Sequence, residues 1–365
     1  MRKHPLEHLE SRGSTPELTV IKHTLRDWIE PRLTALAADG DPTALARQLN
    51  AELKQAGLFC DSEKQCPQQS WLGFLDSVRV YRQAWSEFLL VQTTVGIQCG
   101  FDASAYAYER SGDHWRRFWQ SEQDDYREKK YLPQNLHAVL ISPTDYRTDG
   151  EKSAYLVLTL GDLPWCSSNW RDVYIRVWRT KAGVAEPKLL LDLSEGAYLG
   201  MHDPPIQGSV GPGDVLVEYT VASMEQSRPE IRHYVVDQDK VARVDPIALG
   251  PRDFVEEWFL RPWAEIARWT EPGARAKMQR RHRARHEASE FVYPTLHCGQ
   301  APDLWQVRID FGDAVKQVPE YFLIRWRLPY RFTMVDVSDH PSAACTEEDP
   351  DADAYRTLFP VQDWR

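Results

Sequence analysis

The sequence predicts a mainly β fold with helical additions, built from repeated antiparallel sheet modules. Between residues 155 and 245, short runs rich in β-branched, aliphatic and aromatic residues recur with polar turns between them. Tyr155-Leu-Val-Leu-Thr-Leu160 and Val215-Leu-Val-Glu-Tyr-Thr-Val221 are too short for good helices. In residues 173–179 alternation sets Val173, Ile175 and Val177 on one face, and Tyr174, Arg176 and Trp178 on the other. A faint repeat extends the pattern, because strand-like runs at 89–95, 155–161 and 215–221 are each followed by a hairpin-like segment, at 105–119, 174–193 and 233–244. Their spacing of roughly 60 residues suits sheet modules. A fourth copy, at 321–337, falls after a helical insertion. Two arrangements meet these observations, a partial propeller and a β-sandwich.

In chain order, residues 1–14 read as a tail without structure of its own. Residues 15–60 predict a helical hairpin that packs on the sheets. Its first helix spans 15–39, with Thr15 as cap, Pro16 in the first turn and Leu18, Ile21, Leu25, Trp28 and Ile29 at helical spacing. Pro31 is expected to kink it. The second starts at Asp41-Pro42, carries Leu45, Leu49 and Leu53 on one stripe, and stops at Gly57. Residues 61–250 hold the repeated β region. Strands are expected at 88–95, 103–109, 115–119 and 137–141, before the central run, and a hairpin at 233–244 closes it.

Residues 251–290 predict a helical insertion. Phe254, Val255, Trp258, Phe259, Trp263 and Ile266 form its apolar stripe, Pro262 breaks it, and Glu271-Pro-Gly273 stops it. Arg275, Lys277, Arg280, Arg281, Arg283 and Arg285 follow as a basic island, read as a solvated helical face or linker, or else as a contact for an acidic partner. Residues 291–365 return to strands, expected to pack on the same β domain, and end in an acidic, proline-rich tail.

The charge balance, 54 Asp+Glu against 44 Lys+Arg, argues against nucleic acid as the main partner. No apolar run is long enough for a transmembrane segment. The N-terminal decapeptide lacks the apolar core of a signal peptide. Fourteen tryptophans are read chiefly as packing between sheets, with an aromatic platform as the sharper alternative. Cys60, Cys66, Cys99, Cys166, Cys298 and Cys345 mostly sit in polar or glycine-rich surroundings. They suggest disulfides paired as Cys60–Cys66, Cys99–Cys166 and Cys298–Cys345, hence a periplasmic or secreted protein whose leader is not in this chain. Six reduced thiols in a cytoplasmic protein are the competing reading.

Loops on a rigid sheet are where function is sought. Trp165-Cys-Ser-Ser-Asn-Trp170 combines two hydroxyls, an amide and two aromatics. Trp165, Asn169, Trp170 and His202 are the ligand-binding candidates; Ser167, Ser168, His202 and Asp203 are the weaker catalytic ones. A nucleophile there needs a base within hydrogen-bond reach, and no nucleophile-elbow motif is present. His282 and His286 have ligand spacing but are crowded by arginines, and His297-Cys298 stands without a second ligand pair. Asp349, Asp351 and Asp353 begin like a calcium loop, yet Ala354 and Pro360 replace the required Gly and Glu. Residues 208–213 make no phosphate loop, since no helix follows them. No cofactor or metal site is therefore expected. The function expected is non-catalytic binding or scaffolding through aromatic-bearing loops, with an unknown protein or a glycan as ligand. The alternatives are an exported hydrolase of glycan or ester bonds, and a structural subunit of a larger assembly.

Overall fold

The computed structural model describes residues 16–36, 40–59, 75–83, 88–97, 100–122, 134–144, 154–163, 170–181, 186–198, 206–222, 227–285, 291–292, 294–299, 301–312, 317–327 and 330–348. Two helices open the chain, α1 (Pro16–Thr34) and α2 (Pro42–Gln55). Asp41 caps α2 by accepting a hydrogen bond from the Thr43 amide at 2.8 Å. Gly57 closes it with φ +73°, a left-handed conformation that a side chain would resist. Pro31 sits inside α1 near its end.

Sheet 1 follows as a meander of β1 (Leu75–Arg82), β2 (Leu89–Ile97), β3 (Gly100–Ser111) and β4 (His114–Ser121). Sheet 2 repeats the plan with β5 (Asn135–Pro143), β6 (Ala154–Asp162), β7 (Trp170–Lys181) and β8 (Lys188–Tyr198). Sheet 3 repeats it again with β9 (Ile206–Gly211), β10 (Asp214–Ala222), β11 (Ser227–Asp237) and β12 (Lys240–Arg243). The three repeat strands expected from sequence are β2, β6 and β10, each the second strand of its sheet.

Helices α3 (Pro251–Leu260), α4 (Trp263–Ile266) and α5 (Arg275–Arg285) come next, and α3 ends just before Pro262 as expected. Sheet 4 then assembles β13 (Phe291–Val292), β14 (Leu296–Cys298), β15 (Leu304–Gly312), β16 (Gln317–Arg327), β17 (Arg331–Ser338) and β18 (Cys345–Glu348). Residues 321–337 are the β16–β17 hairpin, so the fourth copy of the repeat is one strand out of step; β15 matches β2, β6 and β10. All four sheets are antiparallel, and no closed barrel forms among the described residues.

Sheets 1, 2 and 3 stack in chain order because each presents apolar faces to the next. Val157 and Tyr174 of sheet 2 pack against Leu90, Ala103, Ala105 and Ala107 of sheet 1. Leu156, Leu158, Leu160, Val173, Ile175 and Val177 pack against Val215, Val217 and Tyr219 of sheet 3. The outer face of sheet 1 is covered by seven buried aliphatics of the helical hairpin: Leu18, Leu25, Ile29, Leu33, Leu45, Leu49 and Leu53. At about 1.5–3 kcal/mol for each fully buried side chain, these dominate the docking. The buried Lys22–Asp102 ion pair between α1 and β3, at 3.0 Å, serves more to fix register than to add stability. Phe254, Val255, Trp258 and Phe259 of α3 enter the core of sheet 4 with Val307, Phe311, Phe322 and Met334.

The basic island is neither a linker nor wholly solvated. In α5, Met278 and His282 are buried, Lys277 pairs with Asp336 at 2.5 Å, and Arg281 pairs with Glu320 and Asp339, each at 2.8 Å. Cys298 and Cys345 form the expected disulfide, joining the neighbouring strands β14 and β18. The pairings Cys60–Cys66 and Cys99–Cys166 fall outside the described residues, as do the residue 1–14 tail and Asp349–Asp353. No helix among the described residues is long and apolar enough to cross a membrane.

The disulfide closes a 47-residue separation, for which chain entropy gives a stabilisation of about 2–4 kcal/mol. Replacing both Cys298 and Cys345 with Ala is expected to lower the urea-unfolding free energy by that amount. An unchanged midpoint and slope would contradict it.

Candidate functional site

One end of sheet 2 concentrates polar chemistry, where β5 begins, β6 ends and β7 begins. Asn135 pairs directly with Asp162, and the ladder then slips between Leu136 and Ala138. His137 is the residue inserted by that bulge, a device that re-aims a side chain. Its Nε2 lies 2.5 Å from Asp162 Oδ1. Asp162 Oδ2 accepts from Arg171 at 2.9 Å and from Asn135 at 3.0 Å. The Asp162 side chain is fully buried, while His137 and Arg171 keep 26% and 29% of theirs exposed. Charge is thus anchored inside and offered outside.

Burial by itself opposes ionisation of Asp162, but the bonds from His137 and Arg171 outweigh it and hold the carboxyl below its ordinary range. A depressed carboxyl adds stability above its ordinary value of 3.8, and that gain is lost as pH falls through the folded value. Tyr174 supports the arrangement from beneath. Its hydroxyl donates to the Asn135 carbonyl at 3.1 Å, and complete burial pushes its ionisation well above the ordinary value. The ring crosses over Gly161, where a Cβ would stand 2.0 Å from the Tyr174 hydroxyl and 2.2 Å from the Asn135 carbonyl oxygen.

On the opposite face of the same end, Trp170 packs on Tyr198, with ring centroids 4.9 Å apart and planes tilted by 52°. Pairing places both with Tyr174 on the side toward sheet 1, whereas Arg171 points with Val173 and Ile175 toward sheet 3. Trp170 is 40% exposed. The remaining described tryptophans are buried or half-buried, which fits the packing role expected of most of them.

Of the residues singled out by sequence, Trp170 is placed here. Trp165, Cys166, Ser167, Ser168, Asn169, His202 and Asp203 lie outside the described residues. Among the described residues no group of three or more His, Cys, Asp or Glu is arranged to hold a metal ion. His282 instead donates from Nε2 to the Arg261 carbonyl at 2.8 Å and meets Trp258 edge-on at 5.3 Å. Cys298 is consumed by its disulfide, and His297 lies against Trp305. Sequence reasoning missed His137, Asp162 and Arg171, because a bulge leaves no mark in composition. The one available signal was Gly161-Asp162 at the end of an apolar strand.

No family model matches the chain, and no curated protein matches it significantly.

Gly161→Ala should therefore lower stability by about 3 kcal/mol or more, since the clash includes backbone as well as a packed ring. Gly273→Ala, with nothing within 4 Å of its added Cβ, is the control that should leave the thermal midpoint close to wild type. Equal behaviour of the two variants would contradict the close approach of Tyr174.

Proposed function

We propose that this chain is a non-catalytic binding or scaffolding protein whose ligand surface is the Trp170 end of sheet 2. The observation that carries the reading is Trp170 itself, an exposed indole held by Tyr198 at the edge of an otherwise densely packed stack. An immobilised aromatic face presents a large apolar contact at little entropic cost. A ligand with one apolar face and a rim of hydroxyls, such as a glycan, suits this surface. Arg171 and His137, oriented by Asp162 on the other face of the sheet, stand apart from this surface. The Cys298–Cys345 disulfide supports an exported setting, because such bonds persist where the environment is oxidising.

A hydrolase is the second reading, favoured by the 2.5 Å contact of partly exposed His137 with buried Asp162. A base held by an orienting carboxylate is two-thirds of a nucleophilic triad. The nucleophile is unassigned.

Titration calorimetry against β-linked hexasaccharides of glucose, galactose and N-acetylglucosamine tests the first reading. Binding of at least one is expected, with Trp170→Ala weakening it about tenfold or more, a loss of roughly 1.4 kcal/mol, at an unchanged thermal midpoint. Failure of the whole panel, or full affinity in the variant, would overturn it. Hydrolysis of the hexasaccharides or of p-nitrophenyl acetate that vanishes in His137→Gln would move the assignment to the second reading.

A further inference from the structure

Sheet 3 uses one face for two different contacts. Direct pairing sets Val217, Tyr219 and Val221 of β10 beside Arg232, Glu230 and Arg228 of β11 on the same side. The β10 part packs on sheet 2 through apolar side chains. The β11 part carries buried charge and meets α3, whose opposite flank is already committed to sheet 4.

The ion pairs at this junction form one continuous network. Arg228 donates to Glu256 at 2.7 Å and also to Glu257. Arg243, from β12, reaches Glu257 at 3.2 Å and Glu265. Arg232 pairs with Glu230 at 2.5 Å and with Glu195, which projects from β8 of sheet 2. Arg261, just past α3, joins Glu195, Glu230 and Glu257. Four guanidiniums therefore face five glutamates, and Asp253 adds a sixth carboxyl beside Arg228. Arginine stays charged in proteins. A carboxylate surplus in a buried site is costly, and the economical remedy is a bound proton.

Two of these carboxyls are pushed up to about 7, Asp253 beside Arg228 and Glu230, and Glu230 is the one placed between sheet 2 and α3. Its side chain is 1% exposed, and it faces Glu195 from β8 and Glu257 from α3 as well as its two arginines. Tyr219 of β10 stands directly across the strand pair. Burial and then the Glu257 charge push the Glu230 carboxyl up to about 7, against the pull of Arg232 and Arg261. Glu257 and Glu195 go the other way: burial opposes their ionisation, but the surrounding arginines hold Glu257 well below the ordinary range and Glu195 at about 2.

We propose that the junction is a proton-held latch, which closes α3 onto sheet 3 with a proton trapped on Glu230 and loosens when that proton leaves. A carboxyl raised in the folded chain favours folding fully below its ordinary value of 4.5, and the gain is lost as pH rises from there to about 7. The depressed glutamates act oppositely, losing their contribution as pH falls below 4.5. The latch is thus tightest near pH 5, between the two limbs. Because α3 carries sheet 4, loosening would free that unit from the three stacked sheets.

Hydrogen exchange of the intact protein, corrected for the intrinsic rate, tests the latch. Protection of α3 and β11 amides in wild type is expected to fall at least tenfold between pH 5.5 and pH 8.0, following about tenfold per pH unit for one retained proton. In Glu230→Gln, whose amide stays neutral, the fall should be smaller than in wild type by the share of one proton, leaving only that of Asp253. Wild-type protection that does not fall, or a variant that falls as wild type does, would overturn the proposal. Should Glu230→Gln not fold, Glu195→Gln provides the second test. Removing that charge eases ionisation of Glu230 and should move the midpoint of the fall down by at least half a pH unit, and an unmoved midpoint would equally overturn the latch.

Discussion

The structure depends on sheet 2 being buried on both faces. Its second strand alternates Leu156, Leu158 and Leu160 toward sheet 3 with Val157 toward sheet 1, so the strand must be apolar at consecutive positions rather than at every other one. This explains why residues 155–160 read as a nearly continuous aliphatic run. A sheet with two apolar faces cannot be stable alone; it recruits a layer on each side. Those layers in turn expose their own outer faces. Sheet 1 is covered by the α1–α2 hairpin, and sheet 4 packs its core against α3.

Apolar layers slide easily, and buried charge sets their orientation. Lys22–Asp102 joins α1 to β3, and nearby Arg26 and Tyr106 converge on Glu122. The arginine–glutamate network ties β8, sheet 3 and α3 together at one junction. Such pairs add little net stability over apolar contacts of the same shape, yet a shifted register would strand a charge in the interior at a cost of about 3–5 kcal/mol. The layers therefore owe their cohesion to hydrophobic burial and their alignment to ions. The candidate site at the end of sheet 2 uses the same device in partly open form, with Asp162 buried and its partners reaching outward.

Much of this architecture was legible because strands buried on two faces have an unmistakable composition. The helical hairpin was legible too, since Asp41, Pro42 and Gly57 punctuate it and its leucines keep helical spacing. Three strands escaped notice, β18 because it lies in a stretch that reads as acidic tail, and β1 and β9 for reasons of their own. β1 mixes Asp76, Ser77 and Arg79 with its apolar residues, so its pairing to β2 rather than its propensity makes it a strand. β9 contains Gly208, whose missing side chain leaves room for Leu158 and Leu160 beneath it; read alone, the segment resembled a glycine-rich turn. The buried network was illegible for a different reason. Arg228, Glu230 and Arg232 alternate as a solvated strand face would, and only the arrival of Glu256 and Glu257 on a distant helix makes that face interior. The His137–Asp162 contact likewise arises from a one-residue slip in register.

Native-state hydrogen exchange across the sheets tests the double burial of sheet 2 most directly. Amides of Leu156, Leu158 and Leu160 are expected to be among the slowest in the molecule, exchanging only when the whole protein unfolds. Exchange at these positions as fast as in the edge strands β1 and β12 would contradict a sheet held between two layers.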